Sequence, residues 1–374
     1  MKNRTIITVA LIIGFIFAGC KKDNPVEPIP TPVEKIEVVI NDIPFQTEMY
    51  YRIPYTLKTW EWEKDGLKLQ QIVVLDDNSK TELLTINQSE LPFIFKDPLG
   101  QNPFVTYDNI SNYYLSIQLP IPLAQAKPIK VSHSFMFRDT VQNKDVAVEG
   151  GSFSPRLSES PLVISSPVKG NNWAFINQST MDYHFYMLFF IDGKIARGER
   201  FAFDNLKLNS EMTDILNGDP KVNESYFNYK DTLYAVANGT VISIKDGRPE
   251  NNGDAHNVPL NTIDEYGGNY LILDIGGGRY AFYCHCVPNS FMVNTGDVIK
   301  EGDPIALLGN SGNSDVPHLH FQITDGTDVL FSNGLPFVLK KYTKVGDFGT
   351  GPTAPTIVTN ATVMIVLFFI DLSF

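Results

Sequence analysis

The fold prediction depends most on the stretch Gly309–Phe321, which reads GNSGNSDVPHLHF. Most residues before His318 are glycine, asparagine, serine, aspartate or proline, a composition typical of a tight turn. From His318 to Phe321 the chain alternates between a histidine and an apolar side chain. In a strand, residues i and i+2 project from the same face, so the imidazoles of His318 and His320 can converge on one point. The stretch therefore predicts a turn leading into a strand with two histidines on one face.

Strand patterns separated by turns continue on both sides of this stretch. We predict strands over residues 233–241, 270–275, 279–285, 304–308 and 318–323. The triple glycine at 276–278 does not indicate a phosphate loop, because no helix pattern follows it and no Lys-Ser/Thr pair closes it. A hairpin turn is the simpler interpretation. The apolar stretch at 363–370 is too short to cross a membrane as a helix, and we expect a buried terminal strand there.

The first part of the chain, residues 36–148, also has the pattern of short strands separated by turns. Alternation is clearest over 113–119 and 129–137, where apolar side chains recur at every second position. Regular short strands without a helix pattern predict a β-sandwich, of which the immunoglobulin-like arrangement is one form. His133 falls on the apolar face, and we expect a hydrogen-bonded core residue there.

Composition limits the classes of function. The 374 residues are 43% hydrophobic, and this length and composition predict about two packed domains plus appendages. The formal net charge is −12, so the chain lacks the basic surface that nucleic acids select. Its 3 cysteines cannot build a disulfide framework.

The N-terminus has the features of an export signal. Lys2 and Arg4 precede the apolar run 6–17, and small residues then precede Cys20. This segment resembles a bacterial lipobox, in which the cysteine is acylated, and ordinary secretion is the alternative. A proline-rich spacer follows. We therefore expect a protein of the bacterial cell envelope, lipid-anchored on the extracytoplasmic side, at the outer membrane or the cell surface.

The predicted organisation is all-β outside the export signal. Residues 1–19 form the signal peptide, 20–34 the acylated cysteine and proline-rich linker, 35–155 the β-sandwich, and 156–374 a second β-rich domain with a core at about 161–337. Gly150-Gly151 and the prolines that follow mark the boundary between the last two.

Over residues 161–337 the chain resembles the lysostaphin-type (LytM-like) zinc metalloendopeptidases, many of which cut peptidoglycan peptides. The shared motifs are the Gly309–Phe321 block, a Y-x-x-Y-x-H strand at 280–285, and paired Gly-Asp turns at 293–303. An upstream histidine and aspartate complete the pattern. The resemblance implies an antiparallel β-sheet metallopeptidase domain.

The resemblance also implies the site. Zn²⁺ would be held by His184, Asp204 and His320, and three N/O ligands leave a fourth position for the attacking water. His318 would be the general base toward that water, and His285 would stabilise the oxyanion or shuttle the proton. The first ligand and the aspartate are closer together in the best-known members, and His256 is the competing first ligand.

Cys284 and Cys286 flank His285 and raise the alternative of a Cys-His-Cys metal site. Strand alternation would direct both thiols away from His285, so all three could not bind one ion. We therefore expect both cysteines to be small buried hydrophobic residues.

Three functions remain compatible with these residues. The leading one is a zinc endopeptidase that cuts peptidoglycan stem or cross-bridge peptides, anchored to the membrane by an N-terminal lipid, with the sandwich as a spacer or docking module. The second is a catalytically inactive relative that binds peptidoglycan or activates another hydrolase. The third is a secreted protease with protein substrates.

Overall fold

The computed structural model describes residues 35–91, 95–96, 112–176, 183–191, 194–347, 351–361 and 368–371. The predicted signal peptide, the acylation site Cys20 and the proline-rich linker lie outside the described residues. No helix among the described residues has the length and apolar character needed to cross a membrane.

The described chain is almost entirely β, which confirms the predicted fold class. One four-residue helix, α1, spans Tyr183–Tyr186, and short 3-10 helices span Trp62–Asp65, Asn223–Ser225 and Ile263–Glu265. The strands in chain order are β1 Ile36–Asn41, β2 Phe45–Gln46, β3 Tyr50–Trp60, β4 Leu67–Asp76, β5 Glu82–Asn87, β6 Phe95–Lys96, β7 Asn112–Pro122, β8 Val131–Asp139, β9 Lys144–Phe153, β10 Leu162–Ile164, β11 Trp173–Ile176, β12 Phe189–Ile191, β13 Lys194–Ala196, β14 Phe203–Lys207, β15 Thr232–Tyr234, β16 Gly239–Lys245, β17 Tyr270–Asp274, β18 Tyr280–Cys284, β19 Val298–Ile299, β20 Pro304–Leu307, β21 Leu319–Thr324, β22 Phe337–Asp347, β23 Gly351–Ala361 and β24 Phe368–Asp371.

Strands β1 to β9 form the predicted β-sandwich. One sheet has the order β1-β3-β7-β6, with β2 also paired to β3, and the other has the order β5-β4-β8-β9. Apolar side chains of both sheets, including Ile53, Leu115, Ile72 and Phe135, share one core. These strand orders match the ABED and GFCC′ sheets of an immunoglobulin-like sandwich.

Eleven of the strands from β10 to β24 build a larger sheet, while β12 pairs with β13 and β15 with β20 in two separate two-stranded sheets. The order of the larger sheet is β10-β22-β24-β11-β14-β21-β18-β17-β16-β19, with β23 paired to β22. All pairings in it are antiparallel except that of β10 with β22. The expected terminal strand is present in part as β24, between β22 and β11, and residues 363–367 of that prediction lie outside the described residues.

One face of this sheet packs into a second core. Trp173, Phe203, Tyr283 and Phe321 belong to it, and Phe203 and Phe321 stack with 5.3 Å between their ring centroids. Because side chains alternate along a strand, the residues between these aromatics face the other way. The opposite face of β14, β18 and β21 is thereby free to carry polar groups.

The sandwich and the large sheet are in direct contact. Residues 34–374 form one compact unit, in which Phe185, Phe201 and Val338 join the sandwich core. The domain boundary near residue 155 stays a prediction.

His133 confirms the expectation of a hydrogen-bonded core histidine. Its imidazole is 1% exposed, Nδ1 donates to the Gly151 carbonyl at 3.1 Å, and Nε2 accepts from the Tyr55 hydroxyl at 2.8 Å. Burial lowers the pKa of His133 from 6.5 to about 4, although hydrogen bonds to the backbone oppose this shift. The folded protein therefore holds His133 neutral where an unfolded chain would protonate it.

We expect the free energy of unfolding to fall by about 3 kcal/mol because of His133 as pH decreases from 7 to 4. The unfolded state binds the extra proton between pH 6.5 and 4, so the contribution is complete above pH 6.5 and is lost as pH falls toward 4. Denaturant titrations of the wild type and His133→Gln across this range measure it. The variant, which has no titrating group here, should show the shallower pH dependence, and equal slopes would contradict the prediction.

Candidate metal centre

Neighbouring strands of the large sheet carry polar side chains on the face opposite the aromatic core. β14 and β21 pair so that Asp204 lies opposite His320, and β21 and β18 pair so that His320 lies opposite Cys284. Residues directly opposite in an antiparallel pair project from the same face. Asp204, His320 and Cys284 therefore form a row across three strands.

His184 reaches this row from helix α1. Its Nε2 lies 3.7 Å from Asp204 Oδ2, and its ring meets that of His320 edge-on with 4.9 Å between centroids. The three potential ligand atoms of His184, Asp204 and His320 lie within 4.8 Å of one another, and all three residues are buried. This is the combination that the family resemblance implied.

His318 lies beside the same carboxylate and has a defined tautomer. Its Nδ1 lies 2.8 Å from the Val316 carbonyl and 3.1 Å from Ser314 Oγ. Because a carbonyl oxygen can only accept, Nδ1 carries the proton. The unprotonated Nε2 then faces the site, 3.6 Å from Asp204 Oδ1. Burial lowers the pKa of His318, an effect that the Asp204 charge opposes.

His285 is held in the same way from the other side. Its Nδ1 donates to the Ser311 carbonyl at 2.7 Å, so its Nε2 is also unprotonated. The His285 and His318 rings are 4.7 Å apart. Burial lowers the pKa of His285 well below its ordinary value, and the nearby His318 and His320 lower it further. Its backbone has φ of 65°, a left-handed conformation that ends β18 at Cys284.

Gln322 determines which nitrogen of His320 faces Asp204. The Gln322 amide donates to the Val329 carbonyl at 2.6 Å, so its Oε1 is free to accept from His320 Nε2 at 3.0 Å. His320 Nδ1 thus faces Asp204 Oδ1 at 3.0 Å. A histidine whose far nitrogen is anchored in this way is typical of a metal ligand.

The charges of the cluster suit a cation. Burial raises the pKa of the Asp204 carboxyl, but the adjacent His184, His318 and His320 outweigh this effect and keep its pKa well below the usual range. Burial lowers the pKa of His320, yet its hydrogen bond to Asp204 raises it to about 9. A proton at Nδ1 therefore compensates the buried carboxylate, and a metal cation can take the place of that proton.

The loop before His318 is fixed by close backbone contacts. Gly268 has φ of 64°, and a Cβ there would lie 2.3 Å from the Ser311 carbonyl oxygen. Gly312 has φ of 81°, and its Cβ would lie 2.4 Å from the Gly268 nitrogen. Asn251 Nδ2 also donates to the Gly312 and Ser314 carbonyls, at 2.9 and 3.2 Å. The predicted tight turn is thus a rigid support for His285 and His318.

The alternative metal ligands considered from the sequence are His256 and the pair Cys284 and Cys286. His256, the competing first ligand, has its Nε2 2.7 Å from Asp315 Oδ1 and is outside the cluster of His184, Asp204 and His320. Cys284 and Cys286 are both buried and free, as expected. The expectation that both thiols face away from His285 is wrong for Cys284, because the left-handed backbone of His285 interrupts strand alternation.

The residues of the cluster line a cleft of about 230 Å³. Besides the histidines and Asp204, the lining of the cleft includes the polar side chains of Glu199, Tyr266 and Asp315. Sequence reasoning did not identify these residues, and it also missed Gln322. The period of two along β21 carries a signal for Gln322, since it is two residues beyond His320 on the same face.

Part of the chain is similar to known proteins. Residues 226–331 match peptidase family M23. The chain is 31% identical over 86 residues to the peptidoglycan DD-endopeptidase ShyB of Vibrio cholerae, and 29% identical over 89 residues to the peptidoglycan DD-endopeptidase ShyA of that organism. These alignments cover 23% and 24% of this chain and 20% of each relative, so the chain spans about a fifth of the length of the curated relatives it matches.

Two solved structures are among those similar to the chain. The catalytic domain of lysostaphin from Staphylococcus simulans is 19% identical, with a TM-score of 0.24, over 38% of this chain and 78% of that chain. A zinc-containing peptidase from Vibrio cholerae is 13% identical, with a TM-score of 0.25, over 80% and 83%.

The family match covers three of the histidines at the cleft and neither His184 nor Asp204. It includes the loop that holds His285 and His318 and the strand that carries His320. The similarity to peptidase family M23 is thus established for residues 226–331 of this chain.

Proposed function

We propose that the chain is a zinc-dependent endopeptidase that hydrolyses peptide bonds in peptidoglycan stem or cross-bridge peptides. The observation that carries this proposal is the buried cluster of His184, Asp204 and His320 in the lining of a cleft, with two further histidines beside it. Structural metal sites are usually closed by four protein ligands, whereas catalytic zinc sites have three N/O ligands and one open position.

The donors present fit zinc. One carboxylate and two imidazoles are common zinc ligands, and the three donor atoms lie close enough together for one ion. His184, Asp204 and His320 would hold the ion. When bound, zinc polarises a peptide carbonyl and lowers the pKa of a coordinated water to about 7. Gln322 would keep His320 Nδ1 directed at the ion throughout.

The two remaining histidines can handle protons and charge. With its proton fixed on Nδ1 by the Val316 carbonyl, His318 can take a proton only at Nε2, which faces the cleft. Its lowered pKa means that this nitrogen is unprotonated near neutral pH and is ready to act as a general base. Once His285 Nε2 has received the proton that His318 took up as general base, it can donate a hydrogen bond to a developing oxyanion.

The substrate proposal rests on the relatives. Two proteins similar to this chain are described as peptidoglycan DD-endopeptidases, and residues 226–331 match peptidase family M23. A lipid anchor at Cys20 would place such an enzyme in the envelope where peptidoglycan is found. Analysis of the reaction products identifies whether the bond that is cut lies between stem peptides or within a cross-bridge.

We expect the purified wild type to bind about one zinc per chain. Asp204→Ala and His320→Ala each remove a ligand and should lower the metal content to a small fraction of a zinc per chain, measured by elemental analysis after dialysis. His256→Ala is the matched control, because His256 is a histidine outside the cluster, and it should bind zinc as the wild type does. Full zinc retention in Asp204→Ala would reject the assigned ligands.

We expect His318→Ala to retain zinc and to lose 10²- to 10⁴-fold in the rate of peptide hydrolysis, the usual contribution of a general base. Digestion of purified muropeptides, followed by mass spectrometry of the products, measures this. Loss of zinc together with activity would assign His318 to metal binding instead.

The same digestion separates the three candidate functions. A wild type that holds zinc but cuts no wall peptide would contradict the proposed substrate. Cleavage of an unstructured protein such as casein under those conditions would then favour a protease with protein substrates. Retention on insoluble peptidoglycan without any cleavage would favour the inactive binding relative.

A further inference from the structure

His184 is held differently from the other two proposed ligands. Asp204 and His320 lie on paired strands of the large sheet, whose hydrogen bonds fix their positions. His184 lies on α1, a helix of only four residues. An isolated helix of one turn is unstable in water, so contacts outside α1 must hold His184 in place.

The residue after His184 is inserted into the β-sandwich. Phe185 is fully buried and belongs to the sandwich core. Its ring contacts Phe201 at 6.4 Å between centroids, and Phe201 meets Phe45 of β2 edge-on at 6.0 Å. The backbone of α1 is therefore anchored on the sandwich by apolar packing.

Arg200 adds a polar anchor at the same point. It is fully buried, its Nε donates to the Phe185 carbonyl at 3.3 Å, and its guanidinium lies 4.7 Å from the centre of the Phe185 ring. Its other contacts are in the sandwich: Nη1 donates to Asp42 Oδ2 at 2.8 Å, and Nη2 donates to the hydroxyls of Thr56 and Ser116, both at 2.6 Å. Thr56 and Ser116 are themselves opposite one another on β3 and β7.

Arg200 also lies four residues before Asp204, at the approach to β14. The buried Arg200 side chain thus contacts α1, which carries His184, and is held by the sandwich. Along the chain, Arg200 lies just before β14, the strand that carries Asp204. A buried cation needs a partner charge and satisfied donors, so its position is strongly defined by Asp42 and the two hydroxyls.

We propose that the β-sandwich is a structural part of the metal centre, in which Asp42, Thr56 and Ser116 hold Arg200, and Arg200 positions α1 so that His184 faces Asp204 and His320. This role goes beyond the spacer or docking module predicted from the sequence, and it rests on the proposed function because it requires His184 to be a metal ligand. Arg200 and its sandwich partners are positioning residues.

A second contact between the sandwich and the large sheet provides a matched control. Glu48 accepts hydrogen bonds from the Tyr342 hydroxyl at 3.1 Å and from Lys344 Nζ at 3.3 Å, both on β22. This contact also joins the two parts of the chain through a carboxylate but does not touch α1. Glu48→Gln therefore weakens the interface without disturbing the anchor of His184.

The experiment compares Asp42→Asn, Ser116→Ala, Glu48→Gln and His184→Ala in the full chain. Zinc affinity is measured by competition with a chromophoric chelator, and the geometry of the site by the visible absorption of the cobalt-substituted protein. We expect Asp42→Asn to bind zinc 10- to 100-fold more weakly, as is typical when an outer support of a ligand is lost. Its cobalt spectrum should shift toward that of His184→Ala, which lacks one nitrogen donor.

Ser116→Ala keeps every charge and removes only the hydrogen bonds of one hydroxyl, to Arg200 and to Thr56, so it should show a smaller loss in the same direction. It also decides the question if Asp42→Asn does not fold. Glu48→Gln should keep the wild-type affinity and spectrum. Wild-type binding and spectra in both Asp42→Asn and Ser116→Ala, or an equal loss in Glu48→Gln, would overturn the proposal. A wild type that binds no zinc would instead reject the proposed function.

Discussion

Asp204 and His320 share a face because β14 and β21 pair in one antiparallel register. A shift of either strand by one residue would turn its polar side chain into the core and expose its aromatic ring, so this register is strongly specified. The pair next to them, Phe203 and Phe321, stacks on the opposite face and holds the register from the core side. The proposed metal ligands and the hydrophobic core thus occupy alternating positions of the same two strands, and neither can be displaced without the other.

The loop before β21 has a chemical task as well as a geometric one. Its carbonyls at Ser311 and Val316 accept from the Nδ1 atoms of His285 and His318, which leaves both Nε2 atoms to face the cleft. The tautomers of two histidines are therefore set by backbone atoms. Gly268 and Gly312 allow the close approach that brings those carbonyls into place. The same backbone path therefore explains both the turn-forming composition of Gly309–Phe321 and the tautomers of the two histidines.

Much of this arrangement was predictable from local patterns. Strand alternation identified the shared face of His318 and His320, the apolar face around His133, and the all-β architecture. Strand alternation gave the wrong side-chain direction for Cys284, because the next residue, His285, has a left-handed backbone and no side-chain pattern predicts that conformation. His184 and Asp204 were identified only through the family resemblance, since nothing in their separate segments shows that they meet.

No local sequence pattern predicts the contacts of Arg200. Its partners Asp42, Thr56 and Ser116 come from the sandwich, and only the tertiary structure brings them to one guanidinium. Sequence alone divides the chain into a sandwich and a metallopeptidase domain, and this division conceals the buried ion pair between them. A domain boundary predicted from strand patterns therefore does not exclude buried contacts between the two parts of the chain.

Strand β24 has a consequence for the order in which the molecule can assemble. It pairs with both β22 and β11, and β11 in turn pairs with β14, the strand of Asp204. The partners β11 and β24 are about 200 residues apart in the chain, and such distant pairings make folding slow. The strand β11, beside the strand of Asp204, therefore keeps an open edge until residues 368–371 have been synthesised and have paired with it.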